Sequence, residues 1–365
     1  MRKRIRINKI FLVFLTVFIL SISSIFRSCK FEKDYELVQY DSFIKVLFTR
    51  YDDIIPNIKF YIENAKSSIY LAVFEIGNEE LARALISAKR RGIDVKIVTD
   101  EQNADYKALK ELINNKIDVV FQNLDSYMHH KFAVIDSQIV ITGSMNWTDN
   151  DILKNDNNVL IISSRLLANN YLSEFSQMFH QKRFSREKVK IGNNVLEIDG
   201  IRIENYFSPQ DKPSIRIVQL INSAKKTIDF AAFSFTHDKI GNAMISAYKR
   251  NVKVRGLFEK RQVSKFSEYE RFKEQNMEVY LDSNPRNMHN KFIIIDSQIV
   301  ITGSYNFSSN ADNRNDENVI IIFSRDISLR YLKYLDRLIY SDKQSSLYLD
   351  HKLAILQLLY HPEQF

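Results

Sequence analysis

The sequence predicts an α/β protein of two tandem lobes, each a mixed β-sheet flanked by helices, packed as a pseudo-twofold dimer. Three observations lead there. The stretch MHHKFAVIDSQIVITGSMN at 128–146 recurs as MHNKFIIIDSQIVITGSYN at 288–306, identical at fifteen of nineteen positions. The repeat extends beyond that stretch: VLFTR at 46–50 matches NYFSP at 205–209, ENAKSSIYLAVFEI at 63–76 matches NSAKKTIDFAAFSF at 222–235, and NDNNVLIISSR at 155–165 matches NDENVIIIFSR at 315–325. Each copy spans about 135 residues, the size of a domain, so the repeat is a duplicated lobe rather than one turn of a solenoid. Within each copy, helical and extended patterns alternate, as in a sheet covered on both faces.

In chain order, residues 1–29 read as an export signal or membrane anchor. MRKRIRINK carries five basic residues, and an apolar run follows from Ile10 to Phe26. Cys29 stands just behind that run, where a lipoprotein would be acylated, although Phe26 and Arg27 are bulkier than such a site prefers. The first lobe is expected over 30–180. NIKFYIENAKSS reads as a helix, IYLAVFEI as a buried strand, EELARALISAKRRG as an amphipathic helix stopped by glycine, and IDVKIVTD as a strand. YKALKELINNK and IDVVFQN give another helix and strand, and KFAVID and IVITGS are two short apolar strands separated by Ser137-Gln138. Residues 181–200 are charged and turn-rich and read as a linker, with a hairpin turn at the GNN of VKIGNNVLEI. The second lobe is expected over 201–365, closing on a helix suggested by the apolar pattern from Leu347 to Tyr360.

Charge narrows the partners. The chain has 52 Lys and Arg against 44 Asp and Glu, but seven of the basic residues fall within the first thirty positions, which hold no acid. The remaining 45 against 44 lack the excess that marks a chain built for polyanions, leaving only a local basic patch to serve that purpose. With one cysteine, the chain forms no internal disulfide and no cysteine zinc cluster.

The repeated stretch carries the chemistry. Its spacing is H-x-K-x4-D-x6-G-S-x-N: His129, Lys131, Asp136, Gly143, Ser144 and Asn146, then His289, Lys291, Asp296, Gly303, Ser304 and Asn306. Histidine and lysine two apart on an extended segment project from the same side. A flexible turn with a hydroxyl and an amide supplies donors suited to phosphate oxygens. Packing explains the apolar residues of the frame but not the His, Lys, Asn and Gly-Ser, which add no stability to a core.

These two motifs resemble the paired HKD motifs of the phospholipase D superfamily, and AAFSFT (231–236) and NWT (146–148) are similar to its short bacterial and mitochondrial members. The resemblance covers roughly residues 46 to 340. It implies phosphodiester hydrolysis or transfer without a metal or other cofactor, through a phosphohistidine intermediate, in a site to which each lobe gives half. His129, Lys131, Asp136, His289, Lys291 and Asp296 are then the candidate catalytic residues. Asp at the junction of strand and turn is also a common turn former, which gives Asp136 and Asp296 a capping role as the competing reading. Ser144, Asn146, Ser304 and Asn306 are candidates to hold the phosphate.

Family members commonly place a carboxylate where Glu317 stands, hydrogen-bonded to the histidine's far nitrogen, and the first copy has Asn157 there. Pairing each residue with the histidine of its own copy makes His289, beside Glu317, the imidazolium acid, and His129, beside Asn157, the neutral nucleophile. The expected substrate is a phospholipid at a membrane, with DNA or RNA as the alternative substrate of an exported endonuclease. The expected assembly is a monomer containing its own pseudo-dimer.

Overall fold

A computed structural model describes residues 43–340 of the 365. The leader, Cys29 and the apolar segment Leu347–Tyr360 lie outside the described residues. Among the described residues no helix is long and apolar enough to cross a membrane.

The first lobe is a seven-stranded sheet of β1 (Phe43–Phe48), β2 (Ser68–Val73), β3 (Asp94–Asp100), β4 (Asp118–Gln122), β5 (Lys131–Ile135), β6 (Ile139–Gly143) and β7 (Asn158–Ser163), in the order β1-β7-β6-β5-β2-β3-β4. Its helices are α1 (Ile54–Asn64), α2 (Glu79–Arg90), α3 (Lys107–Asn114), α4 (Asp149–Leu153) and α5 (Arg165–Phe179). Strands β2, β3 and β4 run parallel, joined by helical crossovers, while β5, β6 and β7 pair antiparallel. Capping fits the sequence: Asn78, Thr148 and Ser164 accept the backbone N–H three residues on, at the starts of α2, α4 and α5.

The second lobe repeats the plan with one strand more. β8 (Val195–Ile198), β9 (Ile201–Ser208), β10 (Thr227–Ala232), β11 (Lys253–Phe258), β12 (Glu278–Leu281), β13 (Lys291–Ile295), β14 (Ile299–Gly303) and β15 (Glu317–Phe323) form a sheet in the order β12-β11-β10-β13-β14-β15-β9-β8. Helices α6 (Pro213–Ser223), α7 (Asp238–Lys249), α8 (Glu268–Glu274) and α9 (Ser309–Asn313) match the first four of the other lobe, and a helix at 325–340 answers to α5. The extra strand β8 comes from the stretch that reads as linker. Its hairpin turn falls at Asp199-Gly200, not at the GNN. Both residues have positive φ, 50° and 72°, the two-residue geometry that Asp-Gly adopts readily.

Three cores hold this together. α1, α2 and α3 bury Ile58, Leu81, Leu85 and Leu109 against the outer face of the first sheet, and α6, α7 and α8 do the same for the second. The third core lies between the inner faces. It joins Val134, Leu160 and Tyr171 of one lobe to Phe292, Ile294, Ile320 and Tyr331 of the other. Polar contacts cross the same seam in matched pairs. Asn158 accepts from Thr302 and Tyr331 at 2.9 and 3.0 Å, while Asn318 reaches Thr142 and Tyr171 at 2.8 and 3.2 Å. Each contact has a counterpart 160 residues away, the mark of an approximate twofold axis.

Candidate active site

Lys131 opens β5 and Lys291 opens β13, the central strands of their sheets. His129 and His289 stand two residues earlier, in the loops that lead into those strands. There the lobes exchange backbone. His129 N–H donates to Asp316 C=O at 3.0 Å and Asp316 N–H to Tyr127 C=O at 2.8 Å, while His289 N–H donates to Asp156 C=O and Asp156 N–H to Asn287 C=O, both at 2.8 Å. The residue after each aspartate is therefore delivered to the opposite lobe's histidine.

This exchange corrects the pairing expected within each copy. Glu317 Oε2 lies 2.8 Å from His129 Nδ1, and Asn157 Oδ1 lies 3.1 Å from His289 Nδ1. Comparing the chain with itself gives the register along each copy. The direction in which a side chain crosses the seam is set by the interlobe backbone bonds, which that comparison does not contain. The carboxylate thus belongs to the first histidine, and His289 is paired with the amide.

The serines also differ from expectation. Ser144 Oγ donates to Asn157 Oδ1 at 2.8 Å, and Ser304 Oγ donates to Glu317 Oε2 at 2.7 Å, while each hydroxyl oxygen accepts a backbone N–H, of Asn158 or Asn318. Their hydrogens hold the histidines' partners rather than face a phosphate. The preceding glycines are required by close approach. Gly143 and Gly303 both have φ near +141°, and a Cβ there would meet the Asn158 or Asn318 carbonyl oxygen at 2.2 Å.

Asp136 and Asp296 are capping residues. They sit at the far ends of β5 and β13, roughly 16 Å from the lysines at about 3.3 Å per strand residue. Asp136 accepts the N–H groups of Lys66, Ser67 and Ser68 at 2.7–3.0 Å, and Asp296 those of Lys225, Lys226 and Thr227 at 2.6–2.9 Å. Each is also the first residue of a two-residue turn at positive φ, followed by Ser137 or Ser297. The candidate catalytic role does not fit that position, and the competing turn reading does.

The two lysines converge. Lys131 Nζ donates to the His129 carbonyl at 2.8 Å and lies 5.1 Å from the Phe74 ring centroid. Lys291 Nζ donates to the His289 carbonyl at 2.6 Å and lies 4.8 Å from that of Phe233. Each ammonium has three protons, so this leaves donors for a ligand. Asn146 and Asn306 each carry a buried Oδ1 without a hydrogen-bond partner among the described residues. The two phenylalanines also abut the histidines edge-on, at 5.1 and 4.6 Å. Their signal in the sequence was the F repeated in AVFEI and AAFSF, which packing alone could explain.

The electrostatics follow from burial around two cations. Burial first, then Lys131 and Lys291, drive both histidines well below the usual imidazole range. Burial pulls Lys131 down to about 8, and burial with the Lys131 charge holds Lys291 well below the ordinary ammonium value. Burial also lifts Glu317 to about 7. An anion between the lysines would offset their mutual repulsion and favour protonation of a histidine beside them. The site is thus poised to take up charge when an anion enters. Two further carboxylates border the first half: half-buried Glu75, pushed up by burial and by Asp151, and Asp151 itself, 3.7 Å from His289 Nδ1.

Two histidines with their Nδ1 atoms held across the seam, beside two lysines, form a site to which two similar lobes each give half. The chain belongs to the phospholipase D superfamily: the family described as "Cardiolipin synthase, PLD-like domain" matches residues 58–179 and again 217–339. Among its relatives, a phospholipase D of Rickettsia prowazekii is 35% identical over 161 residues, 44% of this chain and 78% of that one. A mitochondrial cardiolipin hydrolase of Xenopus laevis is 33% identical over 135 residues, 36% of this chain and 63% of that one. Over both lobes the fold matches a phosphatidylserine synthase structure from Haemophilus influenzae, with TM-score 0.62 and 16% identity, covering 81% of this chain and 86% of that one. The chain is accordingly a phosphodiesterase of phospholipase D type.

Proposed function

We propose that the protein hydrolyses phospholipid phosphodiesters through a phosphohistidine intermediate, and the observation that carries this is the opposed histidine pair with unlike partners. Nδ1–H of His129 donates to ionised Glu317. That fixes the tautomer whose Nε2 lone pair is free, and it offsets the positive charge formed when Nε2 bonds to phosphorus. His129 is therefore still the nucleophile, for a reason opposite to the one its own copy offered. As its Nε2 attacks, the bond from phosphorus to the head-group oxygen breaks, and protonated His289 gives that oxygen its proton. Water then attacks phosphorus, the P–N bond breaks, and His289 recovers a proton. Lys131 and Lys291 hold the non-bridging oxygens and offset their growing charge.

Phospholipid is favoured over nucleic acid by charge. The body carries no basic excess, and Glu75 and Asp151 stand beside the phosphate site, where a backbone of adjacent phosphates would meet repulsion. The basic and apolar leader supports action at a membrane after export, with Cys29 as a lipid attachment point. The test sets head-group release from phosphatidylcholine and cardiolipin vesicles beside plasmid nicking, each with and without EDTA. Lipid hydrolysis that survives the chelator is expected. Nicking without lipid hydrolysis would overturn the substrate class, and loss with chelator would overturn the metal-free mechanism.

A further inference from the structure

Two of the differences between the halves of the site compensate each other. Glu317 in the second copy corresponds to Asn157 in the first, a loss of one carboxylate. At the same offset, Ala311 in the second copy corresponds to Asp151 in the first, a gain of one. The correspondence is structural as well. Asp151 is the third residue of α4, its N–H capped by Thr148, and Ala311 is the third residue of α9, its N–H capped by Ser308. The gained carboxylate touches the residue that lost one. Asn157 Nδ2 lies 3.3 Å from Asp151 Oδ1, and Asn157 Oδ1 takes the His289 Nδ1 contact at 3.1 Å. Asp151 Oδ1 itself is 3.7 Å from His289 Nδ1. The side chain is buried, so its charge acts at short range through little water.

We propose that Asp151 is a positioning residue that replaces the missing carboxylate of the first copy, holding His289 in its protonated form partly directly and partly through the Asn157 amide. The groups facing His289 make the need plain. Lys291 from its own strand, with Lys131 and His129 from the opposite lobe, all oppose a positive charge there. Asp151, with Oδ1 3.7 Å from Nδ1, is the carboxylate that meets the ring. Asn157 alone could orient the ring but could not offset its charge. Glu317 serves the nucleophile and Asp151 the acid, so the site keeps one carboxylate per histidine although the two no longer occupy equivalent positions.

This rests on the phosphodiesterase reading for its kinetic test but not for its spectroscopic one. In the full chain, Asp151→Asn should move the alkaline limb of kcat/KM to lower pH by about one unit, roughly tenfold in rate on that limb, as expected for removing an opposite charge about 4 Å away. The double variant Asp151→Ala with Asn157→Glu copies the Ala311 and Glu317 pair into the first lobe and should return the limb. Asp151 also accepts the Asn146 N–H at 2.8 Å, so a purely structural role is the rival. That role lowers rate evenly across pH, and Asp151→Glu, which keeps the charge, would then rescue nothing. An alkaline limb that stays put in Asp151→Asn overturns the proposal, as does a folded double variant that fails to regain it. Should the wild type cleave no phosphodiester, the functional reading falls. The His289 imidazole titration, followed by 15N NMR and assigned with His289→Asn, then decides on Asp151 alone: a lowered midpoint in Asp151→Asn supports the proposal and an unchanged one overturns it.

Discussion

The first and second halves of this chain are copies of one sequence, and where they touch each other the backbone contacts match while the charges do not. Their outer cores match element for element. At the seam, His130 lies 2.9 Å from Glu174, which also bonds buried Lys188, and Lys188 lies 2.8 Å from Asp316. The equivalent positions in the other half hold an uncharged contact, Asn290 to the Tyr334 hydroxyl at 3.0 Å, and Asp156 is met at 2.8 Å by half-exposed Arg50. The backbone exchange across the axis stayed common to both halves, and the charges around it became specialised. A duplicated site can become asymmetric in this way without moving its histidines.

The largest effect expected is on chemistry, and it tests whether the halves have separate roles. His129→Asn and His289→Asn should each lower turnover by about three to four orders of magnitude, the scale of a lost nucleophile or general acid. They should part company on a diester with a nitrophenol leaving group, which departs without a proton. His289→Asn should then still trap a phosphoenzyme, and His129→Asn should not. Trapping only in His129→Asn would exchange the two roles.

Next is the seam. Lys188→Met leaves Glu174 and Asp316 buried beside each other without their cation, and breaking a buried pair in this way costs about 3–5 kcal/mol. Thermal unfolding should show the loss. Arg50→Met at the half-exposed counterpart should shift Tm far less. Equal losses would mean that the two seams are equivalent despite their different burial.

Third is Glu317→Gln, the arrangement closest to making both halves amide-paired. The amide still accepts Nδ1–H and holds the tautomer but no longer offsets charge, so kcat should fall by about a hundredfold. Burial raises Glu317 to about 7, so the folded protein holds that proton where an unfolded chain would release it. Between the ordinary carboxylate range and about pH 7 the wild type therefore loses stability as pH rises, and the Gln variant should lose less over that window. Its acidic activity limb, set in the wild type by taking up a proton at the His129–Glu317 pair, should move away from pH 7. A limb unchanged in Glu317→Gln would assign that titration elsewhere.

Much of this was legible beforehand because the repeat doubled each signal. The alternating elements, the two sheets and the four residues His129, Lys131, His289 and Lys291 all follow from one frame kept twice. The pairing across the seam was not legible, because Asn157 and Glu317 sit in sequence after the histidine of their own copy and in space beside the other. Asp151 did leave a trace, as an acid facing an alanine at the same offset. Its meaning depends on knowing that α4 ends against Asn157. Asp136 and Asp296 show the opposite failure: repetition marked them as important, but a turn needs repeating as much as a site does.

The smallest effect expected concerns those two aspartates. Asp296 is held below the ordinary carboxylate range although its partial burial works the other way, because three backbone N–H groups donate to it. Its ionised form is therefore favoured by folding. That contribution is present above the unfolded Asp value near pH 4 and is lost as pH falls through the lower, folded one. Asp296→Asn keeps the turn residue and weakens the cap, at a cost of about 1 kcal/mol. Unfolding in urea should report that change at neutral pH and a smaller one at pH 3, with kcat per folded molecule unchanged. The first half offers the same substitution, read at neutral pH, at Asp136, which accepts the corresponding three N–H groups and a hydroxyl from Ser67 besides. A fall in kcat without a fall in stability at either position would return the aspartate to the reaction, and in one half only it would extend the asymmetry of the site down the length of the strand.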